Sequence, residues 1–153
     1  MPLKITLTND IKTAMKSGNE FELGVLRMLI AAINNKGIEK RGKGLDAELT
    51  DEEIIDVLSK ENKKRKESAE IYKQANREEL AKKELEEVEV IKKYLPEQLS
   101  EGEIESIVEK AVKETGATTI KDLGKVMGLI SKDIKGKADS GVVSDLVKKK
   151  LGI

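Results

Sequence analysis

The 153-residue chain contains no cysteine and no histidine. Together these absences remove thiolate nucleophiles, disulfides, imidazole bases and the usual zinc ligands. An enzyme built from this chain alone would have to work with carboxylates, lysines and hydroxyls. No paired carboxylates or triad stand out among them, so the sequence offers no catalytic residue, no metal site and no cofactor. Aromatic residues make up 2% of the chain, and there are two prolines. A sheet protein would want more aromatic side chains, and the scarcity of proline lets long helices run unbroken. Long hydrophobic runs are missing too. The most apolar stretch, "VLRMLIAAI", is too short to span a bilayer and carries Arg27. "MPLKITLTNDIK" lacks the apolar centre of a signal peptide. A cytoplasmic protein with no membrane partner is expected.

What is present is charge, at 38% of residues with a formal net charge of zero. The balance is local rather than uniform. From Pro96 to Ile120 there are six Glu and two Lys, a net of −4, whereas Lys121 to Lys150 holds eight Lys and four Asp, a net of +4. Such asymmetry can steer a polyanion even when the whole molecule is neutral.

Helix starts recur along the chain. In a capping box, Ser, Thr, Asn or Asp is followed three residues later by Glu or Gln, and the two side chains satisfy free backbone amides. Thr50 with Glu53, Ser100 with Glu103, Asn76 with Glu79 and Asn19 with Glu22 fit this spacing. Each precedes a periodic segment, and the spacing predicts an all-α chain of seven helices. The first is expected near Leu3 to Ser17, with Leu7, Ile11 and Ala14 or Met15 inward. The second is expected near Glu20 to Lys36, with Phe21, Val25, Leu29 and Ile33 inward, followed by a glycine-bearing loop. The third, from about Asp51 to Ala75, and the fourth, from about Arg77 to Tyr94, read as a long antiparallel hairpin jointed at Asn76. Ile54, Ile55, Leu58, Ala69 and Tyr72 should face inward on the third, and Leu80, Val88, Ile91 and Leu95 on or just after the fourth.

Pro96 should end the fourth helix by pushing Leu95 out of the helical region. It divides the chain into a four-helix N-terminal lobe, residues 1–95, and a small three-helix C-terminal lobe, residues 96–153. The fifth helix is expected from Glu101 to Thr115 with Gly116 as its stop. The sixth is expected from Thr119 to Lys135, and the seventh from Asp139 or Ser140 to Leu151.

The sixth helix carries the most informative pattern. On a wheel of about 100° per residue, Ile120, Leu123, Met127, Ile130 and Ile134 form an apolar stripe, and Lys121, Lys125 and Lys132 form a basic one. Gly124 and Gly128 fall between the stripes. Each glycine should weaken the helix by about 1 kcal/mol relative to alanine. Two uses can offset that cost. The commoner is a flat shelf on which another helix packs. The other is a shelf for a sugar-phosphate backbone that the lysines neutralise. Lys135 and Lys137 flank the turn after this helix and join the candidate nucleic-acid-binding set, although Asp139 should cap the following helix itself. "KENKKRKES", from Lys60 to Ser68, reads as a solvated basic face with no interleaved aromatics for base stacking.

In this order and spacing, "LRMLIAAI", "YLPEQLS", "TGATTIKDLGKVMG" and "GKADSGVVSDLVKKKL" resemble the YqeY family over nearly the whole chain. Its members are stand-alone relatives of the tail domain of the B subunit of the aspartyl/glutamyl-tRNA amidotransferase. The resemblance implies a four-helix lobe joined to a three-helix lobe. It also implies a non-catalytic, tRNA-related role, with tRNA as partner and a tRNA amidotransferase or aminoacyl-tRNA synthetase as the associated enzyme. A helical protein-interaction adaptor is the alternative. A carbon–nitrogen ligase activity, with glutamine as amido donor and a partner supplying the catalytic groups, ranks third. The sequence departs from the family at Ile130-Ser131, where relatives often carry Met-Pro, and at "ADSG", whose glycine comes one place later than usual.

Overall fold

The computed structural model describes residues 2–152. Among them it contains seven α-helices, one 3-10 turn and no strand. The helices are α1 (Leu3–Ser17), α2 (Glu20–Gly42), α3 (Asp51–Gln74), α4 (Glu78–Lys92), α5 (Glu101–Thr115), α6 (Leu123–Ile134) and α7 (Ser140–Lys150); the 3-10 turn, Ile120–Asp122, precedes α6. The chain separates into two compact units, one ending at Leu95 and the other beginning at Pro96. No described helix is long and apolar enough to cross a membrane.

In the first unit, Leu7, Leu26, Leu29, Ile33, Leu58 and Ile91 centre a core that draws on all four helices. Thr50 and Glu53 form a full capping box at the start of α3. The Thr50 backbone N–H and the Lys40 ammonium both bond the Glu53 carboxylate and hold its pKa below the usual range, the backbone bond contributing more. Asn19 caps α2 by accepting from the Glu22 amide at 3.2 Å. The return half of that box is replaced by a bond from the Asn19 side-chain amide to the Glu22 carboxylate at 2.9 Å, and the box expected at Asn76 does not form. Asn76 has a φ of 58°, in the left-handed region that asparagine tolerates. It serves as the reversal between α3 and α4, while Arg77 precedes α4 without a side-chain cap. Tyr94 donates its hydroxyl proton to Asp10 at 2.6 Å. Burial and then this bond push the phenol pKa well above its usual value.

Of Ala14 and Met15, Ala14 is the inward one at 4% exposure. Two other inward assignments move outward: Leu80 is 40% exposed and Phe21 39%. Helix α2 also continues past Lys36 to Gly42, where a loop was expected. Gly37 lies within the continuation, where a β-carbon would lie 2.6 Å from the carbonyl oxygen of Ala47. The absence of a side chain there lets the following segment fold back against the helix.

The basic run on α3 is not all solvated. Arg65 is buried at 7% exposure, as is Asn62 at 4%. The Arg65 guanidinium donates from Nη1 to Glu61 Oε2 at 2.7 Å and from Nε to Glu87 Oε2 at 3.3 Å, tying α3 to α4. Both residues continue the inward stripe of Leu58 and Ala69, at positions where the hairpin uses polar groups instead of apolar ones.

The second unit packs α5, α6 and α7 around Val108, Val126, Ile130, Ile134, Val143 and Val147. Ser100 and Glu103 form the expected capping box. Gly116 ends α5 with a φ of 66°, a conformation that costs glycine little.

Candidate nucleic-acid interface

The 3-10 turn changes the start of the glycine-bearing helix. The Asp122 carboxylate accepts from the backbone amides of Thr118 at 3.0 Å and Thr119 at 3.2 Å. These two bonds, the first the larger effect, hold its pKa below the usual carboxylate range. The turn advances by three residues rather than 3.6, so the helical phase begins only at Leu123. Ile120 drops out of the expected apolar stripe and is 50% exposed, and Val126 enters the core at 0%. Leu123 and Met127 are half-buried, and Ile130 and Ile134 are buried, as the stripe required.

With the core direction fixed by Val126, Ile130 and Ile134, the other residues of α6 take definite bearings. At about 100° per residue, Gly124, Lys125, Gly128 and Lys132 lie roughly 120–160° from the buried stripe. All four are exposed, as is Lys121 in the preceding turn. Nothing among the described residues comes within 4 Å of a β-carbon built at Gly124 or Gly128. Within the second unit, no described residue covers the shelf. Lys121, Lys125 and Lys132 form no ion pair among the described residues. Helix α6 runs unbroken through Ile130-Ser131, and the Ser131 hydroxyl donates to the Gly128 carbonyl at 3.2 Å.

Lys135 and Lys137 lie in the turn that follows α6. Lys135 closes α6 outside the helical region, with a ψ of 119°, and keeps an interaction of its own. Lys137 is half-buried, and its carbonyl accepts from the Leu99 amide at 2.9 Å. The Gln98 side chain donates to the Gly136 and Pro96 carbonyls, both at 2.8 Å. "PEQLS" and "KGKADSG" thus hold one another through backbone atoms. Asp139 caps α7 by accepting from the Gly141 amide at 2.9 Å, so that helix end is filled by its own carboxylate.

One feature carried no role in the sequence. Lys149 and Lys150 line a cavity of about 360 Å³ together with Glu105, Val108 and Leu146. The triple lysine was visible, but its placement over α5 depends on tertiary packing. Lys150 is paired with Glu109 at 2.7 Å. That bond raises the lysine's pKa and lowers the glutamate's.

A family model described as a Yqey-like protein matches residues 4–151. No curated protein matches the chain.

Proposed function

The chain belongs to the YqeY family, and from that premise we propose that it is a non-catalytic RNA-binding accessory module acting on tRNA in the cytoplasm. It would serve alongside a tRNA amidotransferase or an aminoacyl-tRNA synthetase. The observation that supports this reading is the open flank of α6. Two glycines with nothing within 4 Å of their missing β-carbons lie beside lysines that form no ion pair among the described residues. A helix surface of this kind lets a phosphate backbone come close while ammonium groups replace its counterions. Lys121, Lys125 and Lys132 are the principal contacts, Gly124 and Gly128 the shelf, and Lys135 and Lys137 its margin.

The test is tRNA affinity measured against salt. Binding through three lysines should give log affinity against log salt a slope of about −2 to −3. Substituting Lys121, Lys125 and Lys132 with Ala should remove most of that slope. An unchanged slope would take the flank out of the account, and no binding at low salt would end the RNA reading. The protein-interaction adaptor would then stand, supported by Ile71 at 64% exposure and Leu80 at 40%, on either side of the Asn76 reversal.

A further inference from the structure

Resting on the RNA reading, we infer that this flank takes the phosphate backbone of a double helix and does not read bases. The chemistry of the second unit argues for it. From Pro96 onward the sequence has no Phe, Tyr, Trp, His or Arg. Single-stranded nucleic acid is held largely by stacking its bases on aromatic rings or guanidinium planes, worth about 1–3 kcal/mol per base. None of those groups is available here. Arginine, whose planar fork suits bidentate reading of guanine, is missing too, which leaves that contact to lysine alone. Lysine remains, as a compact charge suited to phosphate oxygens.

Geometry points the same way. Val126, Ile130 and Ile134 anchor α6 in the core, so its outer face is a rigid surface rather than a loop that wraps a flexible strand. Lys125 and Lys132 are seven residues apart, about 10 Å along the axis, with Gly128 between them. A duplex presents a denser and stiffer row of phosphates than a single strand. Each neutralised charge accordingly releases more counterion, about 0.9 against 0.7.

The experiment uses the full chain and fluorescence anisotropy with four probes: two RNA duplexes of unrelated sequence, and one separated strand from each. At 50 mM salt both duplexes should bind within about threefold of one another and tighter than either strand. Raising salt to 200 mM should weaken duplex binding about 40-fold for three contacts. The Lys121→Ala, Lys125→Ala, Lys132→Ala variant should lose the preference for duplex; retention of that preference overturns the inference. So does a single strand that binds as tightly as its duplex, or a tenfold difference between the two duplexes, although either result leaves RNA binding standing. Failure of all four probes and of tRNA to bind at low salt overturns both readings.

Discussion

Gly37 in α2 and Gly128 in α6 occupy equivalent places, each inside a helix where alanine would be favoured by about 1 kcal/mol. At Gly37 a β-carbon would meet the Ala47 carbonyl oxygen at 2.6 Å, whereas at Gly128 it would meet nothing within 4 Å. The cations divide in the same way. Arg65 in the first unit is buried between Glu61 and Glu87. Lys125 and Lys132 in the second are exposed and unpaired among the described residues. The first unit uses its glycine and its arginine to close its own structure. The second leaves the glycines of α6 and the lysines beside them facing outward, and this asymmetry directs the RNA reading to the second unit despite the basic run on α3.

The largest expected effect is at Arg65. Arg65→Ala strands Glu61 and Glu87 without their cation and should cost about 3–5 kcal/mol in chemical denaturation. Arg65→Met combined with Glu61→Gln and Glu87→Gln should cost much less, because no buried charge is then left to pair. If the two variants are equally destabilised, the ion pair is not what holds that part of the hairpin. Next is Gly37→Ala, which forces a β-carbon onto a backbone oxygen and should cost about 1–3 kcal/mol. Gly124→Ala and Gly128→Ala should go the other way, each stabilising the second unit by about 0.5–1 kcal/mol, while the double variant binds tRNA more weakly. Destabilisation at either position would show that the shelf is packed after all.

The smallest effect separates the units by pH. The Tyr94 phenol has a raised pKa in the folded state. Its contribution is therefore fully present below the unfolded value of about 10 and is lost as pH rises beyond it. Above pH 10 the wild type should lose stability faster than Tyr94→Phe, which can be followed by thermal melts. The second unit has no tyrosine, so the difference should be confined to the first.

Local chemistry was the legible part. Thr50–Glu53 and Ser100–Glu103 lie three residues apart, and both boxes form because each depends only on its own turn. What escaped depends on distant partners or on helical phase. Asn76 matched the box spacing but was claimed by the hairpin reversal. Gly37 read as the start of a loop because nothing near it in sequence reveals Ala47. The flank of α6 was found on the wheel, yet its exact bearing was not, because the 3-10 turn at Ile120–Asp122 resets the phase and brings in Val126. Arg65 was hidden by its surroundings. Its place seven residues after Leu58 and four before Ala69 was an available signal, masked by the lysines on either side.

The bond from the Leu99 amide to the Lys137 carbonyl, at 2.9 Å, bears on how the second unit breathes. Leu99 belongs to no helix, and a free loop amide trades its proton with water through small fluctuations. Here release requires the strap carrying Gln98 and Leu99 to lift from the α6–α7 turn. Its proton should then exchange on the clock of the helices it fastens, marking residues 98–99 and 136–137 as one cooperative unit.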